Sequence, residues 1–86
     1  MSRLRLLIVE DEAIVAADLK LRLTQLGYQV MGVASNGQAA IKLARQHLPD
    51  LVLMDIHLSG SMDGIEAAQE IRANLHLPVV FLTAYS

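Results

Sequence analysis

The sequence predicts a single α/β domain in which helices cover both faces of a parallel sheet. Short runs that are apolar at every position alternate with stretches whose apolar residues recur at helical spacing. The chain has 86 residues, enough for one domain. It is 53% hydrophobic but only 3% aromatic, so the core must consist of Leu, Ile, Val, Ala and Met. The resulting β-α-β-α-β-α-β alternation forms a parallel sheet through right-handed crossovers.

The first strand and helix flank a pair of acids. Leu4 to Val9 is an apolar run that stops at Glu10 and Asp11, so we predict strand β1 there, buried on both faces. Helix α1 is predicted from Glu12 to Leu26, and Gly27 supplies its stop signal. Its helical spacing is carried by Val15, Leu19, Leu23 and Leu26.

The second strand and helix meet at a polar turn. Residues 28–34 are rich in Val and Met and lie between Gly27 and the turn residues 35–37, which predicts strand β2 and then a helix start. Helix α2 is predicted to run to about His47 and to end before Pro49. The residues expected to face the core are Ala40, Ile41, Ala44 and Leu48.

Two further apolar runs predict the remaining strands. Residues 51–54 form β3, which ends at Asp55, and residues 79–82 form β4, which ends at Thr83. Between them, a polar loop precedes helix α3, which is expected to begin at Asp63 and to stop before Pro78. Its core residues are predicted to be Ala67, Ala68, Ile71 and Leu75.

Oxygen-bearing side chains follow three of the predicted strands at their carboxyl ends. Ligands bind at this edge of an open parallel sheet, where the strand order reverses, and an order of 2-1-3-4 would bring these residues together. Carboxylates gathered in a crevice repel one another unless a cation compensates. The residues are Glu10, Asp11, Asp55 and Thr83.

The donor set favours Mg²⁺ over Zn²⁺, because all donors are hard oxygens and the chain has no Cys. A carboxylate beside Mg²⁺ can attack phosphorus and form an acyl phosphate. Asp55 is the predicted nucleophile, since it stands alone at its strand end and leaves the Glu10-Asp11 pair to hold metal. Thr83 is placed to donate its hydroxyl to a phosphoryl oxygen.

Four segments together resemble the motifs of response-regulator receiver domains, in their usual order. They are residues 7–12 (LIVEDE), 49–56 (PDLVLMDI), 62–64 (MDG) and 82–84 (LTA). The resemblance covers the whole chain and implies a flavodoxin-like fold, a doubly wound parallel sheet of order 2-1-3-4.

The resemblance also implies a function. Asp55 would receive a phosphoryl group from a sensor histidine kinase or a phosphotransfer protein, and a downstream output would be switched. Asp11 would ligate Mg²⁺ directly with help from Glu10, and the backbone carbonyl of His57 would complete the protein ligands beside Asp55. Thr83 would report phosphorylation by turning inward. Such a domain takes part in its own phosphotransfer and dephosphorylation but is not classed as an enzyme.

The sequence departs from the family pattern after β4. The fifth strand, the last helix, the phosphate-pairing lysine and the switch aromatic do not occur in it, so we expect residues 1–86 to be a C-terminally incomplete receiver domain. The α1 face that the last helix would cover and the edge of β4 should then be exposed. Self-association through either surface is a hypothesis.

Other interpretations remain open at this point. Glu10 and Asp11 also suit an ordinary polar start to a helix, and Thr83 is a common strand former. Two other functions fit parts of the pattern: a phosphorylation-independent receiver-like interaction module, and a Mg²⁺-dependent phosphohydrolase. The phosphohydrolase usually has an acid two residues after its nucleophile, where this chain has His57. An imidazole ligand from His57 is disfavoured, because the three histidines are widely separated.

Charge and hydropathy exclude several partners. A net charge of −2 with scattered basic residues gives no footprint for nucleic acid or an anionic membrane. No stretch approaches the roughly 18 apolar residues of a membrane helix. Because Cys is absent, disulfides are too, and we expect a cytoplasmic location.

Overall fold

A computed structural model describes residues 3–56, 58 and 63–82. Within that part of the chain, four strands form one parallel sheet in the order β2-β1-β3-β4, which confirms the predicted topology. The elements are β1 Arg5–Val9, α1 Ala13–Gln25, β2 Gln29–Ala34, α2 Gly37–His47, β3 Leu51–Asp55, α3 Gly64–Glu70, a π-helical turn Ile71–Leu75, and β4 Val79–Leu82.

Strand β1 is the centre of the sheet. It pairs with β2 on one side and β3 on the other, and its residues Leu6 to Val9 are buried on both faces. This is why the run is apolar at every position instead of alternating. The register with β2 shifts between Leu6 and Leu7, so β2 carries one extra residue there.

Helices cover both faces, as predicted. The main core cluster joins Leu7 and Val9 of β1 to α2 and α3, which supply Ala40, Ala44, Ala67, Ala68 and Ile71. Because side chains alternate along a strand, Leu6 and Ile8 point to the opposite face, where α1 packs on β1 and β2. The small alanines let α2 and α3 approach closely, which suits a chain with few aromatics.

One leucine that the helical spacing assigned to the core is exposed. Leu48 follows α2 in the left-handed conformation with φ 45°, and 54% of its surface is exposed. This prediction was wrong because the backbone turns at the C-cap, so the helical periodicity of α2 no longer sets the direction of the side chain.

Side-chain caps fix where two helices begin. Asn36 Oδ1 accepts the Ala39 N–H at 2.8 Å and starts α2. Asp63 Oδ1 accepts the Glu66 N–H at 2.8 Å, and Glu66 bonds back to the Asp63 N–H, which completes a capping box at α3. Both sites agree with the predicted helix starts, and the second one fixes the helix next to Asp55.

The π-helical turn ties α3 to the edge strand. Arg72 donates a hydrogen bond from Nη2 to the Val79 carbonyl at 2.9 Å, and its guanidinium lies 5.6 Å from the centre of the Phe81 ring. The last helical segment therefore braces β4, the strand that leads to Thr83.

Apolar side chains are exposed on α1 and β4. Ile14 and Leu21 lie seven residues apart on α1 and are 85% and 57% exposed, and Val80 of the edge strand β4 is 48% exposed. Exposed apolar side chains thus occur on both elements for which exposure was predicted, and β4 is an edge strand. Among the described helices, none combines the length and the apolar character that a membrane span requires.

We expect Leu7→Ala to lower the free energy of unfolding by about 2–5 kcal/mol, because it leaves a cavity in a fully buried core. Leu7 has 0% exposure and belongs to the main core cluster. Urea unfolding of the metal-free protein measures the loss. Leu4→Ala is the control, since Leu4 is 44% exposed and should change stability little. Equal losses for the two variants would show that β1 is not the centre of the core.

Candidate functional site

The sheet register brings the predicted acids together. Val9, the last residue of β1, pairs with Met54 of β3, so Glu10 and Asp55 follow at neighbouring positions of adjacent parallel strands. The Glu10 N–H donates to the Ala34 carbonyl of β2 at 2.9 Å, which keeps the chain on the sheet one residue beyond β1. The carboxyl edge of the sheet is thus where the acids meet, as predicted.

Glu10, Asp11 and Asp55 form an acidic cluster. Each offers one carboxylate oxygen, and these oxygens lie within 4.8 Å of one another. Glu10 is buried, with 7% exposure, whereas Asp11 and Asp55 are half-buried. Three hard oxygen donors, two of them on half-buried residues, suit a divalent cation such as Mg²⁺. Mg²⁺ keeps several waters when a protein binds it. The cluster therefore fits the predicted ion.

Glu10 is electrostatically strained within the cluster. Burial raises the pKa of its carboxyl, the N–H of Glu12 opposes that rise by donating to Glu10 Oε2 at 3.1 Å, and the charge of Asp55 raises the pKa again. A hydrogen bond and the charge of Asp11 act in the same direction as Asp55. Burial and the neighbouring acids therefore make ionisation of Glu10 less favourable than in an isolated glutamate.

We expect Glu10→Gln to raise the neutral-pH melting temperature of the metal-free protein. A carboxyl whose pKa is raised by folding destabilises the fold once it ionises; this cost is fully present above the raised pKa and is absent below the ordinary value of 4.5. The gain over wild type should therefore shrink as the pH falls toward 4.5. Thermal melts across that range measure it.

Glu12→Gln is the matched control for this experiment, because Glu12 is exposed and its contact with Glu10 uses only the backbone N–H. It makes the same change of charge two residues away. If both variants showed the same pH-dependent gain, general charge reduction would explain it and the strain at Glu10 would not.

Two of the predicted site residues lie outside the described part of the chain. These are Thr83, directly after β4, and His57, whose backbone carbonyl was predicted as a metal ligand. β4 pairs with β3 up to Leu82 opposite Asp55. The roles of Thr83 and His57 remain predictions.

Sequence reasoning missed the contact that holds α3 beside Asp55. Gly64 opens α3 and belongs to the motif at residues 62–64, but its packing was not predicted: a Cβ atom built on it would lie 2.2 Å from the Asp55 carbonyl oxygen. Leu58, in the segment between β3 and α3, is buried in the core cluster with 8% exposure. The only signal in the sequence was a glycine at the first helical position, where side chains are normally tolerated.

Comparison with known sequences shows which family the chain resembles. The sequence profile described as "Response regulator receiver domain" matches residues 6–86. The transcriptional regulatory protein PdtaR of Mycobacterium tuberculosis is 48% identical over 82 residues, which are 95% of this chain and 40% of that protein. The phyllosphere-induced regulator PhyR of Methylorubrum extorquens is 38% identical over 81 residues, 93% of this chain and 30% of that protein. The chain thus spans less than half the length of these relatives.

Solved structures agree on the fold. The signal receiver domain of a modulated diguanylate cyclase from Desulfovibrio desulfuricans superposes with a TM-score of 0.90 and 43% identity, covering 95% of this chain and 66% of that one. The anti-anti-sigma factor PhyR of Bartonella quintana, solved in complex with the anti-sigma factor NepR, gives 0.87 and 36%, covering 98% of this chain and 35% of that one.

Proposed function

Because the chain belongs to the family of response regulator receiver domains, we propose that it accepts a phosphoryl group on Asp55 and thereby switches an output. The donor would be a histidine kinase or a phosphotransfer protein of a two-component system. One observation carries this proposal: the β1–β3 register sets Asp55 beside the Glu10-Asp11 pair, with an oxygen of each within 4.8 Å.

The proposed reaction transfers a phosphoryl group from an imidazole nitrogen of the donor to a carboxylate oxygen of Asp55. A carboxylate oxygen of Asp55 forms a bond to phosphorus while the bond from phosphorus to the donor's imidazole nitrogen breaks. The electron pair of the broken bond stays on that nitrogen, which takes up a proton. Asp55 is half-buried, and the proposed transfer requires that its carboxylate be accessible to the incoming donor.

Receiver domains bind Mg²⁺ in general, and we propose that Glu10, Asp11 and Asp55 hold it here. The ion, when bound, neutralises charge on the transferring phosphoryl oxygens. Glu10 must lose its proton to act as a ligand, and its raised pKa makes metal affinity fall as the pH is lowered. The backbone carbonyl of His57 is the proposed further ligand, and the hydroxyl of Thr83 is proposed to bond a phosphoryl oxygen.

A receiver domain is in general a signalling module and not an enzyme. A phosphorylation-independent interaction module is the second candidate function. It is favoured by the relative PhyR of Bartonella quintana, which was solved bound to a protein partner. The two functions differ in whether Asp55 takes up phosphoryl.

The exposed apolar surfaces support a proposal about the domain. Ile14 and Leu21 on α1 and Val80 of the edge strand β4 are exposed. We propose that a further helix and strand of the family fold would cover these surfaces, so that residues 1–86 are an incomplete receiver domain. As an isolated chain it would then self-associate through them. Sedimentation velocity over a range of concentrations tests this self-association: a monomer at every concentration would contradict it.

We also propose that the chain is located in the cytoplasm.

Incubation with acetyl phosphate tests the proposed function. We expect intact-mass spectrometry to show one added phosphoryl group that requires Mg²⁺ and is lost on mild alkaline treatment, as acyl phosphates are. Asp50→Asn is the control, because Asp50 is an exposed acid before β3 whose carboxylate accepts the Arg5 N–H at 2.8 Å. It should take up phosphoryl like wild type. An unmodified wild-type protein would favour the interaction module.

A further inference from the structure

We infer that Gly64 is a positioning residue for Asp55, an inference that rests on the proposed function. A Cβ atom on Gly64 would lie 2.2 Å from the Asp55 carbonyl oxygen, 3.0 Å from the Ile56 carbonyl oxygen and 3.1 Å from the Asp55 carbonyl carbon. All three are backbone atoms. The helix start therefore packs directly on the peptide that follows the phosphoryl acceptor, and only glycine leaves room for that contact.

Neither side of this contact is free to yield. Asp55 is held in the sheet by its pairing with Leu82 of β4, so its backbone is fixed on one side. On the other side, the Asp63–Glu66 capping box fixes the first turn of α3, and Ala67 and Ala68 are buried in the core. An added methyl group at Gly64 must therefore move the Asp55 peptide or the first turn of α3.

The movement would act on the acidic cluster through geometry alone. Glu10 and Asp11 follow β1, whereas Asp55 ends β3. A displacement of Asp55 therefore changes its distance to both of the other acids. Metal sites require ligand oxygens at defined separations, and Mg²⁺ demands near-ideal octahedral geometry. Gly64 thus acts on the cluster through the position of the Asp55 backbone and not as a ligand.

Gly64→Ala and Gly32→Ala make a matched pair of variants. Gly32 lies in β2, and a Cβ there would meet only the Leu43 and Leu7 side chains at 3.6 Å and 3.8 Å, which is ordinary contact. For Gly64→Ala we expect Mg²⁺ affinity to fall by about 10- to 100-fold, the range typical for losing an outer-shell partner of a metal site. Phosphoryl uptake from acetyl phosphate should slow in parallel. Gly32→Ala should match wild type in both.

A third variant separates positioning from stability. Ile71→Val removes one buried methyl group from the same helical segment, at the residue that follows α3, and so lowers stability without adding an atom next to Asp55. The melting temperature should fall for it, while Mg²⁺ affinity should not. If Ile71→Val lost affinity as much as Gly64→Ala, or if Gly64→Ala bound Mg²⁺ like wild type, the positioning role would be contradicted.

Amide NMR of the metal-free protein distinguishes this inference from the proposed function. Gly64→Ala should shift the Asp55 and Ile56 resonances, and Gly32→Ala should leave them in place, whether or not the protein takes up phosphoryl. Unmoved resonances in Gly64→Ala would overturn the inference alone, whereas a wild type that takes up no phosphoryl would overturn the proposed function alone.

If Gly64→Ala fails to fold, variants of the helix caps test the same positioning role. Asp63→Ala removes the α3 cap and should lower Mg²⁺ affinity, and Asp63→Asn should restore it, because Asn keeps the capping oxygen. Asn36→Ala removes the corresponding cap of α2 and should leave affinity unchanged. Equal affinity in the Asp63→Ala and Asn36→Ala proteins would contradict a positioning role for the start of α3.

Discussion

Asp55→Asn should abolish phosphoryl uptake and, without metal, raise the melting temperature slightly. An amide in place of the carboxylate has no anionic oxygen to attack phosphorus, so the loss should be complete. The stability effect has a separate cause: the variant removes one of three carboxylates whose oxygens lie within 4.8 Å, and with it a charge that raises the pKa of Glu10. Intact mass and thermal melts measure the two effects.

The response of the melting temperature to Mg²⁺ should also differ between wild type and Asp55→Asn. Added Mg²⁺ compensates the acids of the wild type, so its melting temperature should rise, and the rise should be smaller for Asp55→Asn, which has lost one charged donor. Asp50→Asn serves again as the control, since Asp50 lies at the opposite end of β3. A metal-free Asp55→Asn protein that melts clearly below wild type would contradict the repulsion between these acids.

The second large effect is expected at Asp11. Asp11→Ala should weaken Mg²⁺ binding by more than about 100-fold, because loss of an outer-shell partner alone typically costs about 10- to 100-fold. Asp11 is half-buried and contributes one of the clustered oxygens. Isothermal titration calorimetry of both proteins at one fixed pH measures the affinity.

Glu12→Ala is the control for Asp11→Ala. It removes the same charge from the next residue, and Glu12 is exposed and not one of the clustered acids. Its affinity should stay within a fewfold of wild type, since an exposed charge acts only through screened Coulomb attraction. Similar losses in both variants would mean that Mg²⁺ responds to the overall negative charge near α1 and is not ligated by Asp11.

The strands could be predicted because their signals are local and strong, whereas their order came from the resemblance to receiver domains. A strand buried on both faces must be apolar throughout, and β1 and β3 end where an acid interrupts the run. Once the order β2-β1-β3-β4 is assumed, parallel pairing alone brings Glu10 and Asp55 together. With that order, the acidic cluster could therefore be predicted from the sequence.

Other features depend on contacts that leave no local signal. Leu48 continues the helical spacing of α2 but lies beyond its last turn, and only the backbone conformation shows that its side chain leaves the core. Gly64 looks like any glycine near a helix start, and its role depends on the distance to Asp55, nine residues earlier in the chain. Tertiary approach, and not residue type, decides such positions.

Locating the phosphoryl group tests the central claim most directly. Borohydride reduces an aspartyl phosphate to homoserine, which peptide mass spectrometry can place in the sequence after incubation with acetyl phosphate and Mg²⁺. We predict that the modified residue is Asp55 and that no other acid is changed. A stable adduct on a different residue, or reduction products spread over several exposed acids, would contradict the assignment of Asp55 as the phosphoryl acceptor.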